Sequence, residues 1–437
     1  MGAVRRDLTG ARSGDRRHRE LPHQVGVTFV AAVRADRLDS LRALLAEMGG
    51  DPAGNAHIPF GRVGGIHYAR FFLLEPTADL AGNAIPGELF FMVDFDSPIP
   101  ARLDNLLTAG AGWEEILGHC EGFAGTGVDA CKKFFREHTV RDAAYYVNTV
   151  GLSVDQVRLE SSLREALEQL VDGSPELQSL DPAAIRAKLV DFVRGTPALE
   201  VSLEAAQPPE PAWQLRELGH LLLVPVVGLI LLPLLLVAIP LWLVALRLHE
   251  RADVESAEKP QPAHLGDLEA IEDFGPVNQF TAVGFIKPGW FRTMTARTVL
   301  FLVNFGARHI FNHANLAGVK TIHFARWTFF DGGRRVVFAS NYDGALESYM
   351  DDFIDKVAWG LNAVFSNGVG WPATRWLLWG GARHETAFKN FLRVHQAPTQ
   401  VWYSAYPTLT ALNIANNSAI RAGLRGGEDE RSWLSRL

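Results

Sequence analysis

The segment IHYAR at residues 66–70 returns as IHFAR at residues 322–326, an offset of 256 residues. Each copy has a His ten residues before its second His and an Arg three residues after it. Further matches in the same register are His57 with His313, Val63 with Val319, and Phe29 with Phe285. The copies differ at most other positions, so the retained polar residues predict a shared role, structural or functional, in two related folding units.

The apolar pattern around these segments predicts the same order of elements in both halves. Strand-forming runs alternate with helical patterns, and the turn at residues 331–333 (DGG) joins two strands as a hairpin. The predicted strands are 24–34, 66–74, 88–95 and 143–150 in the first half, and 278–286, 321–330, 334–340 and 374–379 in the second; helices at 155–171 and 384–394 and a strand at 400–406 follow. The order β-α-β-β-α-β, found twice, predicts an α+β protein of two ferredoxin-like repeats.

Composition shifts divide the chain into segments. The predicted divisions are a basic leader at 1–22, the first repeat at 23–172, a helical connector at 173–217, a membrane segment at 218–247, a polar linker at 248–275, the second repeat with a C-terminal extension at 276–421, and a tail at 422–437. The net charge of −7 and the lack of a basic face with interleaved aromatics argue against a nucleic-acid partner. Cys120 and Cys131 are too few for a disulfide framework and are expected to be reduced thiols.

Residues 218–246 contain no Asp, Glu, Lys or Arg and are long enough to cross about 30 Å of hydrocarbon. Three prolines interrupt the segment: Pro225, Pro233 and Pro240. The alternatives are a hairpin that turns near Pro233, with arms of about 14 residues in one leaflet, a single span, and a buried core segment. The flanking Arg216 and Arg247 favour cytoplasmic ends. We therefore expect membrane lipid as a partner, and a bacterial inner membrane location with the soluble halves on the cytoplasmic side.

The repeated polar residues are the first candidates for a binding site. Strand alternation places His323 and Arg326 on opposite faces of their strand. A His beside a small Ala and a large aromatic fits either a cavity lining or a buried His bonded to its neighbours. The candidate ligand-binding residues are His67, Arg70, His323, Arg326, Trp327 and Arg383.

Two further groups could carry chemistry. His309 and His313 lie four residues apart and, with His323, would supply three nitrogen ligands to a metal ion, although the counterpart of His309 in the first half is Ala53. Asp343 at the end of a predicted strand fits a helix N-cap. Alternatively it is a proton acceptor near Arg326 or Arg383, which makes Asp343, Arg326 and His323 the candidate catalytic residues.

The repeated IH(Y/F)AR segments, SNYDG at 340–344 with ESYMDDFIDK at 347–356, and VWYSAYP at 401–407 resemble a family of uncharacterised bacterial membrane-associated proteins. The resemblance extends through most of residues 24–421 and implies tandem ferredoxin-like repeats but no activity. More distantly, the chain is similar to the dimeric α/β barrel superfamily, which includes dye-decolorising peroxidases and chlorite dismutase-like haem proteins. That similarity implies a fused barrel. It also implies haem as a cofactor, with Asp343 as a distal acid and His384 as an axial ligand, although Ser340 replaces the first Gly of the peroxidase Gly-x-x-Asp-Gly motif.

Three functions follow as alternatives. The first is a membrane-attached protein whose barrel binds a hydrophobic small molecule or lipid, with no reaction assigned. The second is a haem-dependent oxidoreductase of peroxidase type. The third is a non-catalytic scaffold at the membrane face. Whether the protein is an enzyme stays open, because fold analogy alone is a weak guide to function.

Overall fold

Two antiparallel sheets form the centre of the molecule in the computed structural model, which describes residues 24–204, 211–256, 258–311 and 315–437. The structure is α+β, with about 52% helix and 21% strand. The strands are β1 (Val25–Ala32), β2 (Ile66–Leu74), β3 (Thr77–Ala78), β4 (Ala84–Ile85), β5 (Glu88–Phe95), β6 (Thr139–Val140), β7 (Asp142–Val147), β8 (Val277–Phe285), β9 (Ile322–Phe330), β10 (Arg335–Asp343), β11 (Thr374–Arg375), β12 (Trp379–Gly380) and β13 (Thr399–Ser404). The α-helices are α1 (Leu38–Gly50), α2 (Ile99–Thr108), α3 (Gly112–Leu117), α4 (Gly127–Glu137), α5 (Val154–Gly173), α6 (Pro182–Arg194), α7 (Pro211–Ile230), α8 (Leu232–Ala252), α9 (Pro262–Glu269), α10 (Trp290–His309), α11 (Leu346–Phe365), α12 (Glu385–His395), α13 (Ala411–Gly423) and α14 (Glu430–Leu434).

The first sheet has the strand order β13-β2-β5-β1-β6 and the second has the order β7-β9-β10-β8. Helices α1 to α4 cover the outer face of the first sheet, where Phe29, Phe71 and Phe91 are buried with the apolar side of each helix. Helices α10, α11 and α12 cover the outer face of the second sheet around Phe338 and Trp371. Alternating side chains therefore leave the other face of each sheet to meet its counterpart.

Two continuous stretches of chain connect the sheets at their edges. Strand β6 pairs with β1 in the first sheet, and β7, one residue further on, pairs with β9 in the second. At the other side the Ala397 N–H donates to the Thr281 carbonyl on β8, and β13 then pairs with β2 in the first sheet. Each linking stretch thus begins on its own half and ends on the other half.

The pairing registers correct the expected equivalence of Phe29 and Phe285. Val25 pairs with Phe95 in the first sheet and Asn278 pairs with Tyr342 in the second, so β1 and β8 are offset by 253 residues rather than 256. By that offset Phe29 corresponds to Ala282. Loops of different length separate the strands in the two halves, so the offset of 256 residues relates β2 to β9 but does not relate β1 to β8.

The predicted strand at 374–379 is also wrong as a member of the main sheets. The chain there forms a separate two-stranded hairpin, β11 with β12. Trp376 and Leu377 between them both have a φ of 59°. The place next to β2 is taken instead by β13, close to the extra strand predicted at 400–406.

Helices α7 and α8 form a bent unit, which we call the arch (residues 211–252). They meet at Leu231, two residues before Pro233, whose missing N–H interrupts the helical hydrogen bonding. By length and composition each helix could cross a membrane, and their apolar windows are 0% and 6% buried. This exposure excludes the buried core alternative. The 20 and 21 residues of the two arms also exceed the expected length.

Both ends of the arch return to α10. At one end His220 Nδ1 lies 2.7 Å from His309 Nε2, and Glu217 forms an ion pair with Arg308. These contacts fix the first arm at the C-terminal end of α10.

At the other end the arch contacts the start of α10. The Trp242 indole N–H donates to Thr295 Oγ1 at 3.1 Å, and Leu246 packs against Phe291 and Leu377. One helix therefore supports both arms, and the chain before and after the arch lies on the same side of it.

Candidate functional site

The repeated histidines each pair with an aspartate. His67 Nε2 lies 3.0 Å from Asp96 Oδ1, and its Nδ1 lies 2.8 Å from the Tyr406 hydroxyl. His323 Nε2 lies 2.6 Å from Asp343 Oδ1. Both imidazoles are buried, so each ring is bonded to its neighbours instead of lining an open space.

The second oxygen of each aspartate holds a helix. Asp96 Oδ2 accepts the Val154 N–H at 3.1 Å, and Asp343 Oδ2 accepts the Ala411 N–H at 2.9 Å. Val154 and Ala411 are the first residues of α5 and α13, where backbone N–H groups lack helical partners. The expectation of an N-cap for the helix directly after Asp343 is therefore wrong, because the N-cap of α11 is Ala345. Asp343 binds the start of a later helix.

A β-bulge occurs at each repeated histidine. Ile66 pairs with Phe95 and Tyr68 with Asp94, so His67 is the extra residue on its strand. The second sheet has the same irregularity at His323. Because a bulge interrupts the alternation of faces, the predicted opposition of His and Arg does not apply at these positions. The His67 ring indeed contacts Phe324 of the other sheet, with centroids 5.3 Å apart.

The two repeated arginines cross between the sheets. Arg326 on β9 donates to the Val27 and Val93 carbonyls, both at 2.9 Å, and forms an ion pair with Asp94. Asp142 Oδ2 lies 3.9 Å from Arg326 Nη1. We call this group the Arg326 socket.

Arg70 on β2 makes the corresponding contacts in the opposite direction. It donates to the Phe280 carbonyl at 2.8 Å and the Ser340 carbonyl at 2.9 Å, and also to Thr281 Oγ1 and Asn341 Oδ1. We call this group the Arg70 socket. Both arginines are only 3% exposed, and both terminal nitrogens of each guanidinium have acceptors on the opposite sheet, so these side chains hold the sheets together.

Electrostatics separate the two sockets. Burial lowers the pKa of Arg70 to about 9, because no carboxylate contacts it. Burial also opposes the charge on Arg326, but Asp94 and Asp142 outweigh it and raise the pKa of that guanidinium. Burial and the nearby Asp94 carboxylate raise the pKa of the Tyr145 hydroxyl, which donates to Asp94 Oδ1 at 2.9 Å. Both arginines stay charged at neutral pH.

The other predicted site residues lie apart from this centre. Trp327 borders a cavity of about 30 Å³ beneath α10, room for little more than a water molecule. Arg383 is exposed. Of the predicted metal ligands, His309 contacts His220 and His323 contacts Asp343, while His313 lies outside the described residues. Within the described part of the chain no three His, Cys, Asp or Glu side chains are grouped to hold a metal ion.

A larger cavity lies beside the arch. This cleft, which we call the arch cleft, has a volume of about 470 Å³, within the range of small-molecule sites. It is bounded by the start of β1, the link between β6 and β7, the part of α10 from Arg297 to Arg308, Phe329 of β9 and His220 of α7. The cleft therefore touches both halves of the protein and the arch.

The walls of the arch cleft combine arginines with aromatic rings. Arg141, Arg297 and Arg308 line it, together with Phe301 and Phe329. Arg308 is paired with Glu217, and the Arg297 guanidinium lies over the Phe329 ring at 5.6 Å. Such a wall offers positive charge and apolar surface to one ligand.

The floor of the cleft belongs to the Arg326 socket. Asp142 and Tyr145 line it, and Asn304 Oδ1 on α10 accepts the Tyr145 N–H at 3.2 Å. Gly26 also lines the floor, and a Cβ there would lie 3.0 Å from Arg326 Cζ. Sequence reasoning missed these residues because they come from distant segments. The available signal was the three arginines, Arg292, Arg297 and Arg308, within the otherwise apolar stretch 291–311.

Comparisons with protein-family models, with curated proteins and with solved structures found no match.

Proposed function

We propose that the protein is a membrane-attached module that binds a hydrophobic small molecule or lipid taken from the bilayer. The arch provides the attachment, and the arch cleft provides the binding site. The single observation that carries the proposal is the position of this cleft, where the exposed apolar arch meets a wall of arginine and phenylalanine side chains.

The body that carries the arch is, in this proposal, a pair of ferredoxin-like repeats closed into a barrel. The order β6-β1-β5-β2 is the 4-1-3-2 order of an antiparallel βαββαβ unit. In the second half β8, β10 and β9 follow the same order, and the stretch that begins on β8 at Ala397 continues as β13. The exchange of these last strands supports a barrel that includes both halves.

The dimensions of the arch favour insertion into one leaflet. The arms from His220 to Leu231 and from Leu231 to Trp242 each rise about 16 Å, and their contacts on α10 are about 21 Å apart. A triangle of these sides is roughly 13 Å high, which is less than half of a hydrocarbon core of about 30 Å. Because both arms are held on α10 at His220 and Trp242, the apex at Leu231 cannot reach the opposite surface of the bilayer while these contacts hold.

Apolar and aromatic side chains continue the exposed surface at the level of the contacts. Trp290 and Met294 at the start of α10 are exposed, as is Trp379 in the hairpin whose turn contacts α8. Tryptophan is typical of the boundary between headgroups and hydrocarbon. A continuous exposed apolar surface of this kind marks an interaction surface on a protein.

The contacts favour this proposal over a haem-dependent peroxidase. Both ring nitrogens of His67 have partners, and His323 is buried with its Nε2 bonded to Asp343, so neither ring faces an open space that a haem would need. The distal acid proposed by resemblance, Asp343, has both oxygens bonded. His384 is exposed on the surface. These residues therefore do not fit a haem group.

Liposome flotation tests the attachment. Wild-type protein should float with neutral phosphatidylcholine vesicles, and the double substitution Val227→Glu with Leu232→Glu at the apex should abolish this, because charge is costly in hydrocarbon. Leu80→Glu, at an equally exposed apolar residue on the β3–β4 hairpin, is the matched control and should float normally. Loss of flotation in both variants, or in neither, would contradict the proposal.

A nitroxide attached at Leu231→Cys tests the depth. The native Cys120 and Cys131 are buried and should react slowly. Electron paramagnetic resonance should place the label about 13 Å below the phosphates of one leaflet. If a relaxing agent confined to the aqueous phase on the other side of the membrane reached the label, the arch would span the whole bilayer instead.

Organic extraction of the purified protein should release lipid at near-stoichiometric amounts, whereas a pure scaffold would release none.

A further inference from the structure

We propose that the arch cleft binds the anionic headgroup of a membrane glycerolipid, a phosphate that carries a polyol, while the acyl chains stay in the leaflet beside the arch. This inference rests on the proposed function, since it names the ligand of the same cleft. Three observations lead to it: the charges, the apolar wall and the height of the cleft relative to the arch.

The charge of the cleft is unevenly balanced. Glu217 neutralises Arg308, and Asp94 pairs with Arg326, so Asp142 is the one carboxylate among the described lining residues that opposes the remaining arginines. Arg141 and Arg297 are exposed, and neither forms an ion pair with a residue in the described ranges. Two exposed guanidinium groups against one carboxylate leave the cleft with a net positive charge, which favours an anion, and their planar donor geometry matches a phosphate group.

The floor of the cleft selects among anions. Asp142 Oδ1 accepts from Thr28 Oγ1 at 2.9 Å and from the Thr328 hydroxyl, whereas Oδ2 lies 3.9 Å from Arg326 Nη1, and the residue lines the cleft. A carboxylate at the floor repels a bare phosphate that moves inward, but it accepts a hydrogen bond from a hydroxyl. A phosphate at the opening with a polyol further in therefore fits better than inorganic phosphate.

The apolar wall and the position of the cleft supply the lipid part. Phe301 is 48% exposed on α10, and Phe329 forms the facing wall. His220 belongs to the last helical turn before the uninterrupted apolar run that begins at Leu221. The cleft therefore opens at the level where, in the proposed orientation, headgroups meet hydrocarbon, and the acyl chains can leave past Phe301 without crossing water.

The experiment uses the full chain in a neutral detergent, with native mass spectrometry counting bound dioctanoyl phosphatidylglycerol or dioctanoyl phosphatidylcholine. Wild type should bind one phosphatidylglycerol at least about tenfold more tightly than phosphatidylcholine, as expected for charge-assisted hydrogen bonds. Arg141→Gln with Arg297→Gln should remove this preference. Arg375→Gln should keep it within about twofold, because Arg375 lies in the hairpin next to α8 but does not line the cleft.

Several results would overturn the inference. Equal affinity for the two lipids would do so, and so would an equal loss in the double variant and in Arg375→Gln, which would indicate general surface attraction. Inorganic phosphate should compete only at concentrations at least about a hundredfold above the lipid. Competition at equal concentration would instead identify a soluble phosphate compound as the ligand.

Two controls separate this inference from the proposed attachment. Phe301→Ser should weaken phosphatidylglycerol binding but leave inhibition by phosphate unchanged, which supports a role for the lipid part. The double arginine variant should still float with phosphatidylcholine vesicles. If it floats but shows unchanged lipid preference, the headgroup inference fails alone. If wild type does not float, the proposed function fails.

Discussion

The Arg326 and Arg70 sockets have the same geometry and different charge. Each guanidinium crosses to the opposite sheet and binds two backbone carbonyls, a threonine and one side-chain oxygen. The corresponding residues are Thr28 and Thr281, Asp94 and Asn341, Asp142 and Thr399, and Tyr145 and Trp402. The repeat therefore preserves hydrogen-bond geometry, whereas the countercharge is present in only one half.

The sockets also differ in what lies outside them. In the first half α1 packs closely on β13, where a Cβ at Gly49 would lie 2.2 Å from the Gln400 carbonyl oxygen. In the second half α10 packs on β7, and the arch cleft opens beside Tyr145. The comparison indicates that the charged socket is the one that borders the candidate site. The uncharged one lies beneath a closed wall.

The largest effect is expected from Arg326→Met. Removing this guanidinium leaves Asp94 and Asp142 buried without a countercharge, and breaking a buried pair in this way costs about 3–5 kcal/mol. Urea unfolding in detergent should show this loss. A decrease in the free energy of unfolding below about 1 kcal/mol would indicate that water reaches the two carboxylates of the socket.

Arg70→Met should cost less, about 1–3 kcal/mol, because its partners are neutral and only unsatisfied acceptors remain. The same unfolding measurement checks it. A loss equal to that of Arg326→Met would break the comparison, since it would show that the carboxylates add nothing.

Asp94→Asn converts the charged socket into a copy of the other. It weakens the bonds from Arg326 and Tyr145 but keeps their geometry, so we expect a loss of about 1–2 kcal/mol. The pKa of the Arg326 guanidinium should fall. In a double-mutant cycle with Arg326→Met the two losses should be strongly non-additive, whereas additive losses would contradict a direct interaction.

Asn341→Asp makes the reverse change and should have the smallest effect. Asn341 Oδ1 already accepts from Arg70 and from the Trp402 indole N–H at 3.0 Å, so a carboxylate finds both donors in place. We expect a gain of up to about 1 kcal/mol, since desolvation of the new charge offsets part of the attraction. A destabilisation above about 1 kcal/mol would show that the Asn341 amide N–H has a necessary acceptor.

Local pattern was sufficient to predict much of the fold. The bounds of β2 and β5 match the predicted strands 66–74 and 88–95, because the alternation of apolar residues along a strand is a local property. The predicted turn near Pro233 is close to the bend at Leu231, since a proline is favourable in the first turn of a new helix. Pro225 and Pro240 lie inside α7 and α8 and do not end them.

The predicted strand at 374–379 failed for a tertiary reason. Its aromatic residues favour a strand, but Glu250 of α8 accepts the backbone N–H groups of Trp376 and Leu377 at 2.9 and 2.8 Å. Those contacts hold the chain in a tight turn. No local pattern contains a partner more than 120 residues away.

The candidate site shows the same division. Patterns along the chain predicted two repeated segments, each with a His and an Arg, and a long apolar segment with three prolines. The folded structure added that the apolar segment is exposed and that the arginines cross between the sheets. It also placed each histidine on an aspartate that binds the start of a helix, and Arg141 and Arg297 in the lining of one cleft beside the arch. Periodicity and composition depend on neighbours along the chain. Burial, countercharge and cavities depend on neighbours in space.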